Sequence, residues 1–229
     1  MDMRRVAGCI GTVLAGALVV FGAGWLLHQR PAPAQGAAVV VRGTVSTPQG
    51  NLPHVLVHLA TYPDSMAGEH GADGGAEPDW VSYGPTTDLS VPAHSLVTVT
   101  IDQYDGGEEI TNHYFARVHG TVGGTETVNG KTVTGVNPKA IGHTFTLHAA
   151  PTDQSPIFVS APLPAVPDDA PLAPGSDYPK PNVVTFSFMT GSAGKYVWNC
   201  EFPCGDGYYA KFGGPMSTRG YMSGTLTVT

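Results

Sequence analysis

From residue 183 to residue 229 the chain alternates apolar and polar side chains with a period of two, broken by glycine-rich turns, which commits its end to β structure. Residues 183–189 read as one strand and residues 195–199 as a second, which opens into Cys200-Glu201-Phe202-Pro203-Cys204-Gly205. Two sulfur atoms are thereby delivered to the end of a rigid element. Met216 and Met222 follow, and residues 224–229 alternate as a last strand. Upstream, residues 141–147 form another strand, in which the period of two puts His143 on the face of Phe145 and Leu147, toward the expected core.

The rest of the chain extends the same pattern. After residue 30 no segment sustains a 3.6-residue apolar period, and 30 Gly and 20 Pro supply turns, so the fold class is all-β. Residues 96–102 alternate with β-branched side chains on one face, and Asn129-Gly130 between Val128 and Thr132 predicts a type I′ hairpin. Residues 114–122 and 125–128 continue the run of short elements. The proline-rich segment 151–181 shows no regular pattern and is expected to be a long connection.

The beginning of the chain is of a different kind. Residues 6–27 are 22 positions without a charge, preceded by Arg4 and Arg5. At about 1.5 Å per residue such a helix crosses a hydrocarbon core of about 30 Å, and the basic flank places the N-terminus in the cytoplasm. The expected organisation is a cytoplasmic tip and single transmembrane anchor over 1–30, a Pro/Gly-rich linker with short strands over 31–79, and an extracytoplasmic domain over 80–229. Ala32-Pro33-Ala34 has the small-x-small form of a cleavage site, and cleavage there would give a secreted protein instead. Residues 31–229 carry 8 Lys/Arg against 17 Asp/Glu, a net charge near −9 that excludes a nucleic-acid partner.

An inward imidazole, two cysteines and one or two methionines form a set that suits copper, because thiolate, thioether and imidazole together serve both Cu(I) and Cu(II). A closed structural zinc site would want four Cys/His ligands. The competing reading is a Cys200–Cys204 disulfide, since paired cysteines outside the membrane commonly oxidise. No Gly-x-Ser-x-Gly elbow, phosphate loop or His-Glu-x-x-His sequence is present, so no hydrolase signature competes.

Gly142-His143-Thr144-Phe145, then Thr185-Phe186-Ser187-Phe188, then residues 194–205 and 221–228 in that order resemble the cupredoxins. In particular they resemble the periplasmic copper domain of cytochrome c oxidase subunit II, with its C-x3-C-G-x2-H-x2-M loop. The resemblance covers residues 85–229 and implies a Greek-key β-sandwich with copper at one end. It implies ligand roles for His143, Cys200, Cys204 and Met222, with the Phe202 backbone carbonyl as a further contact. Where that loop has its histidine this chain has Tyr208, and no His follows Cys204. A mononuclear centre is therefore expected rather than a dinuclear one, with Met216 as the alternative to Met222 and His148 in reserve.

The expected function is electron transfer by a membrane-tethered, extracytoplasmic copper protein similar to subunit II, with a cytochrome or oxidase as redox partner. The alternatives are copper handling or delivery, and a metal-free, disulfide-bonded β-sandwich that binds a partner.

Overall fold

Strand β5 (Leu96–Gln103) carries the clearest alternation, burying Val97, Val99, Ile101 and Gln103 while the residues between them stay half-buried. Its neighbours repeat the rule. Strand β2 (Gly50–Tyr62) turns Val55, Val57 and Leu59 inward, and β10 (Asn182–Met189) turns in Val184, Phe186 and Phe188. This computed structural model describes residues 39–47, 50–66, 80–150, 153, 155–202 and 214–229. Among them, β1 (Val39–Thr47), β2, β5, β10, β6 (Glu126–Val128) and β7 (Lys131–Val133) lie in that order in one sheet, with β3 (Ser82–Gly84) paired to β2. The second sheet runs β4 (Asp88–Val91), β12 (Ser223–Val228), β11 (Gly194–Asn199), β8 (Ile141–His148) and β9 (Phe158–Pro164). Pairing is antiparallel except for β2 with β5 and β12 with β4.

Aromatic side chains join the two sheets. Phe145 of β8 stacks on Trp198 of β11, with centroids 4.8 Å apart, and meets Phe186 of the other sheet at 5.5 Å. Tyr83 closes edge-on against Trp198 at 4.9 Å and donates its hydroxyl to the Thr144 carbonyl. Each fully buried apolar side chain contributes about 1.5–3 kcal/mol, so this cluster fixes β8, which carries His143, against β11, which leads into Cys200. The result is an all-β sandwich, as the alternation predicts.

Three expectations change. The stretch 31–79 was expected to be a linker with short strands; the strands β1 and β2 are there, but β2 belongs to the domain's sheet, pairing with β5 from His54↔Leu96 to Thr61↔Gln103. Val55, Val57 and Leu59 are core residues, so the domain includes residues well before 80. The connection expected over 151–181 contains β9, which pairs with β8 from Ile141↔Pro164 to His148↔Phe158. Pro162 and Pro164 conceal it in the sequence, and β9 tolerates them because it is the edge of its sheet. Residues 114–122, expected as a regular short element, instead run from one 3₁₀ turn (His113–Ala116) through the isolated bridges Arg117↔Gly135 and His119↔Ser160 into a second (Val122–Gly124).

The Asn-Gly hairpin is present as expected: Asn129 and Gly130 take φ of 51° and 81° between β6 and β7. No helix among the described residues is long and apolar enough to cross a membrane; the expected anchor, residues 6–27, lies outside the described residues.

Candidate metal centre

Strand β8 is buried on both faces up to its last residue, and its parity turns the His143 ring inward beside Phe145. Antiparallel pairing of β8 with β11 aligns Thr146 with Asn199, which brings the start of β8 beside Cys200, the residue that follows β11. Cys200 Sγ and His143 Nδ1 are 3.9 Å apart, and both side chains are fully buried. Residues 57 positions apart in sequence thus share one point in space.

The sulfur is held on two further sides. The Thr144 backbone N–H donates to Sγ at 3.3 Å, and the Phe202 carbonyl oxygen lies 3.4 Å from it. Behind the ring, His143 Nε2–H donates to Asp105 Oδ2 at 2.9 Å. A carboxylate there assigns the proton to Nε2 and aims Nδ1 at the sulfur, which is how imidazole metal ligands are oriented. Burial opposes a charged ring and is the strongest influence on it, yet Asp105 and Cys200 together outweigh burial and push the His143 imidazole up to about 9. Metal-free protein therefore holds an imidazolium beside the sulfur at neutral pH, and a metal ion must displace the Nδ1 proton to bind.

Met222 stands opposite Cys200 across the β11–β12 pair, where the Cys200 N–H donates to the Met222 carbonyl at 3.0 Å. Directly opposed residues of an antiparallel pair put their side chains on one face with Cβ atoms about 4.5–5.5 Å apart, so the buried thioether is on the face of the thiol. Met216 is half-buried in a 3₁₀ turn (Gly214–Ser217) whose Pro215 carbonyl accepts the Met222 N–H at 3.0 Å. His148, the expected reserve ligand, is not brought to this point. It is paired with Val197 five residues further along β8, about 16 Å at the usual strand rise, and its Nε2 bonds Asn199 Oδ1 at 3.1 Å. Its parity sends its ring to the opposite face from His143. Cys204 lies outside the described residues, as does Tyr208.

The donor spacing fits a metal ion. With bonds of about 2.3 Å to sulfur and about 2.0 Å to imidazole nitrogen, the two donors stand about 3.5 Å apart at a tetrahedral angle and about 3.7 Å at a trigonal one. The observed 3.9 Å is slightly wider than either spacing, so an ion fits between the two donors with a small approach of one to the other, and thiolate with imidazole is a donor set that suits copper. Among the described residues no three side chains of His, Cys, Asp or Glu converge on one point, since Asp105 is behind the ring. Beside the pair, the Phe202 carbonyl oxygen stands 3.4 Å from the sulfur and Met222 lies on the face of the thiol.

Two residues of the site escape the sequence reading. Asp105 reads there as part of a glycine turn, 38 positions before His143, and nothing in its surroundings marks it as a histidine partner. The Thr144 contribution is backbone and leaves no side-chain signal.

No family model and no curated protein sequence matches the chain. Among solved structures it is similar to auracyanin B, at 16% identity over 85% of this chain and 99% of that one, with a TM-score of 0.33. It is also similar to auracyanin A, a "blue" copper protein of Chloroflexus aurantiacus, at 15% identity over 77% and 99%, with a TM-score of 0.35. Rusticyanin from Thiobacillus ferrooxidans matches at 13% identity over 86% and 100%, with a TM-score of 0.32.

Proposed function

We propose that this protein binds a single copper ion, which Cys200 Sγ and His143 Nδ1 would hold with Met222 as a further donor, and transfers electrons. The observation that carries the reading is the pair itself: a buried thiol and an imidazole nitrogen 3.9 Å apart, the far nitrogen pinned by a carboxylate. Bound copper supplies a one-electron couple. The chain's own residues supply a rigid frame, because His143 lies in β8 and Cys200 directly follows β11, two strands locked together by Phe145 and Trp198. Thr144 N–H withdraws charge from the thiolate, and the apolar surroundings of Phe202 and Met222 keep water from it, two influences that tune a copper–thiolate potential. Cys204 is the candidate for a further sulfur donor.

Likeness to the subunit II domain, a membrane tether formed by residues 6–27, an extracytoplasmic location and a cytochrome or oxidase partner complete the proposal. Titrating the reduced, metal-free protein with copper should give one equivalent bound and a thiolate charge-transfer band that is absent in Cys200→Ser. Redox titration then separates the two copper readings. Reversible cycling supports electron transfer, and tight Cu(I) binding without cycling makes the protein a copper-handling one.

A further inference from the structure

We propose that Gln103 is a positioning residue for this centre, acting through Asp105. Gln103 ends β5 on its inward face and is fully buried, an unusual place for a primary amide. Its two polar atoms hold both backbone groups of Asp105: Oε1 accepts the Asp105 N–H at 3.1 Å, and Nε2 donates to the Asp105 carbonyl at 2.9 Å. Oε1 also accepts the hydroxyl of buried Thr61, the residue aligned with Gln103 on β2, and Nε2 reaches the Pro164 carbonyl on β9 at 3.4 Å. One side chain thus ties the Asp105 turn to strands of both sheets.

The amide also fits against the ligand strand. A Cβ on Gly142, the residue before His143, would fall 2.0 Å from Gln103 Nε2 and 2.8 Å from the Gly106 carbonyl oxygen. Glycine there lets the amide and the turn close onto the residue beside the ligand. The chain of contacts runs Thr61, Gln103, Asp105, His143, Cys200, and only the last two have donors turned to the metal. Without the clamp, the Asp105 carboxylate loses its fixed place behind Nε2, and the ring loses its assigned tautomer and direction.

The copper arm of the test rests on the function proposed above; the proton arm does not. In metal-free protein the His143 Nε2–H should appear in nitrogen-edited proton spectra as a slowly exchanging signal. It should vanish in Gln103→Met and in Asp105→Ala, weaken in Thr61→Val and return in Thr61→Ser, while the amide signals of β8 and β10 stay dispersed. In copper-loaded protein, Gln103→Met and Asp105→Ala should each weaken copper binding by about 10–100-fold, the cost usual for removing an outer partner of a histidine ligand. The double variant should be no weaker than Asp105→Ala alone. A Gln103→Met protein that keeps the protected Nε2–H signal, or losses that multiply in the double variant, would overturn the proposal. If wild-type protein takes up no copper, the function proposed above falls, and the proton signal alone decides the role of Gln103.

Discussion

Glu126 opens β6 buried, at 2% exposure, and among the described residues neither carboxyl oxygen has a hydrogen-bond partner. Burial alone pushes this acid from 4.5 up to about 8. Between those values the folded protein keeps a proton that the unfolded chain has released, so rising pH favours unfolding. The slope is about 1.4 kcal/mol per pH unit, which amounts to several kcal/mol between pH 5 and pH 8, on the order of 5 at most. Above about pH 8 the folded group ionises as well and the slope ends. Glu126→Gln keeps the shape and removes the titration. Urea unfolding of metal-free wild type and variant at pH 5, 6, 7 and 8 should give curves that separate as pH rises, the variant becoming the more stable by several kcal/mol at pH 8. Comparing the two proteins cancels the parallel loss from His143, whose raised value also withdraws stability between about pH 6.5 and 9. Parallel curves would refute the reasoning and mean that Glu126 is ionised and solvated in the folded state.

Other perturbations test the frame and the site. Trp198→Ala removes the side chain that packs against Tyr83 and Phe145 and should cost about 3–5 kcal/mol in denaturant unfolding. Gly224→Ala would place a Cβ 1.9 Å from the Thr87 carbonyl oxygen and should destabilise the β12–β4 edge, seen as faster amide exchange at Thr225 and Leu226. His148→Ala should leave copper stoichiometry and spectrum unchanged, because its ring is held by Asn199 away from Cys200. Copper uptake should release protons and weaken as pH falls, since the ion competes with a proton on His143 Nδ1 that is held up to about pH 9; the check is copper affinity measured from pH 6 to 9.

What could be read from the sequence was what parity controls. A period of two places His143 with Phe145 and Leu147, and Cys200 with Trp198 and Tyr196, and both sets do face the core. Parity also separates His148 from His143, and the structure keeps them apart. The strands that the reading missed or treated as loosely attached are those whose local signal contradicts their place. β9 carries two prolines that only an edge position permits, and β2 carries His54 and His58, which sit on its outer side against Thr98 and Asp102. The groups that orient the ligands were not legible at all. Asp105 and Gln103 act through a turn whose position relative to His143 depends on how β5 and β8 are packed in opposite sheets, and local pattern does not encode that relation.

The most direct test of the copper reading is metal analysis together with an electron paramagnetic resonance spectrum of protein reconstituted with Cu(II) after reduction. One copper per chain, giving a four-line spectrum whose thiolate-narrowed splitting is lost in Cys200→Ser, is the predicted result. An intact Cys200–Cys204 disulfide in protein taken from its native membrane, with no copper bound after that bond is reduced, would contradict it.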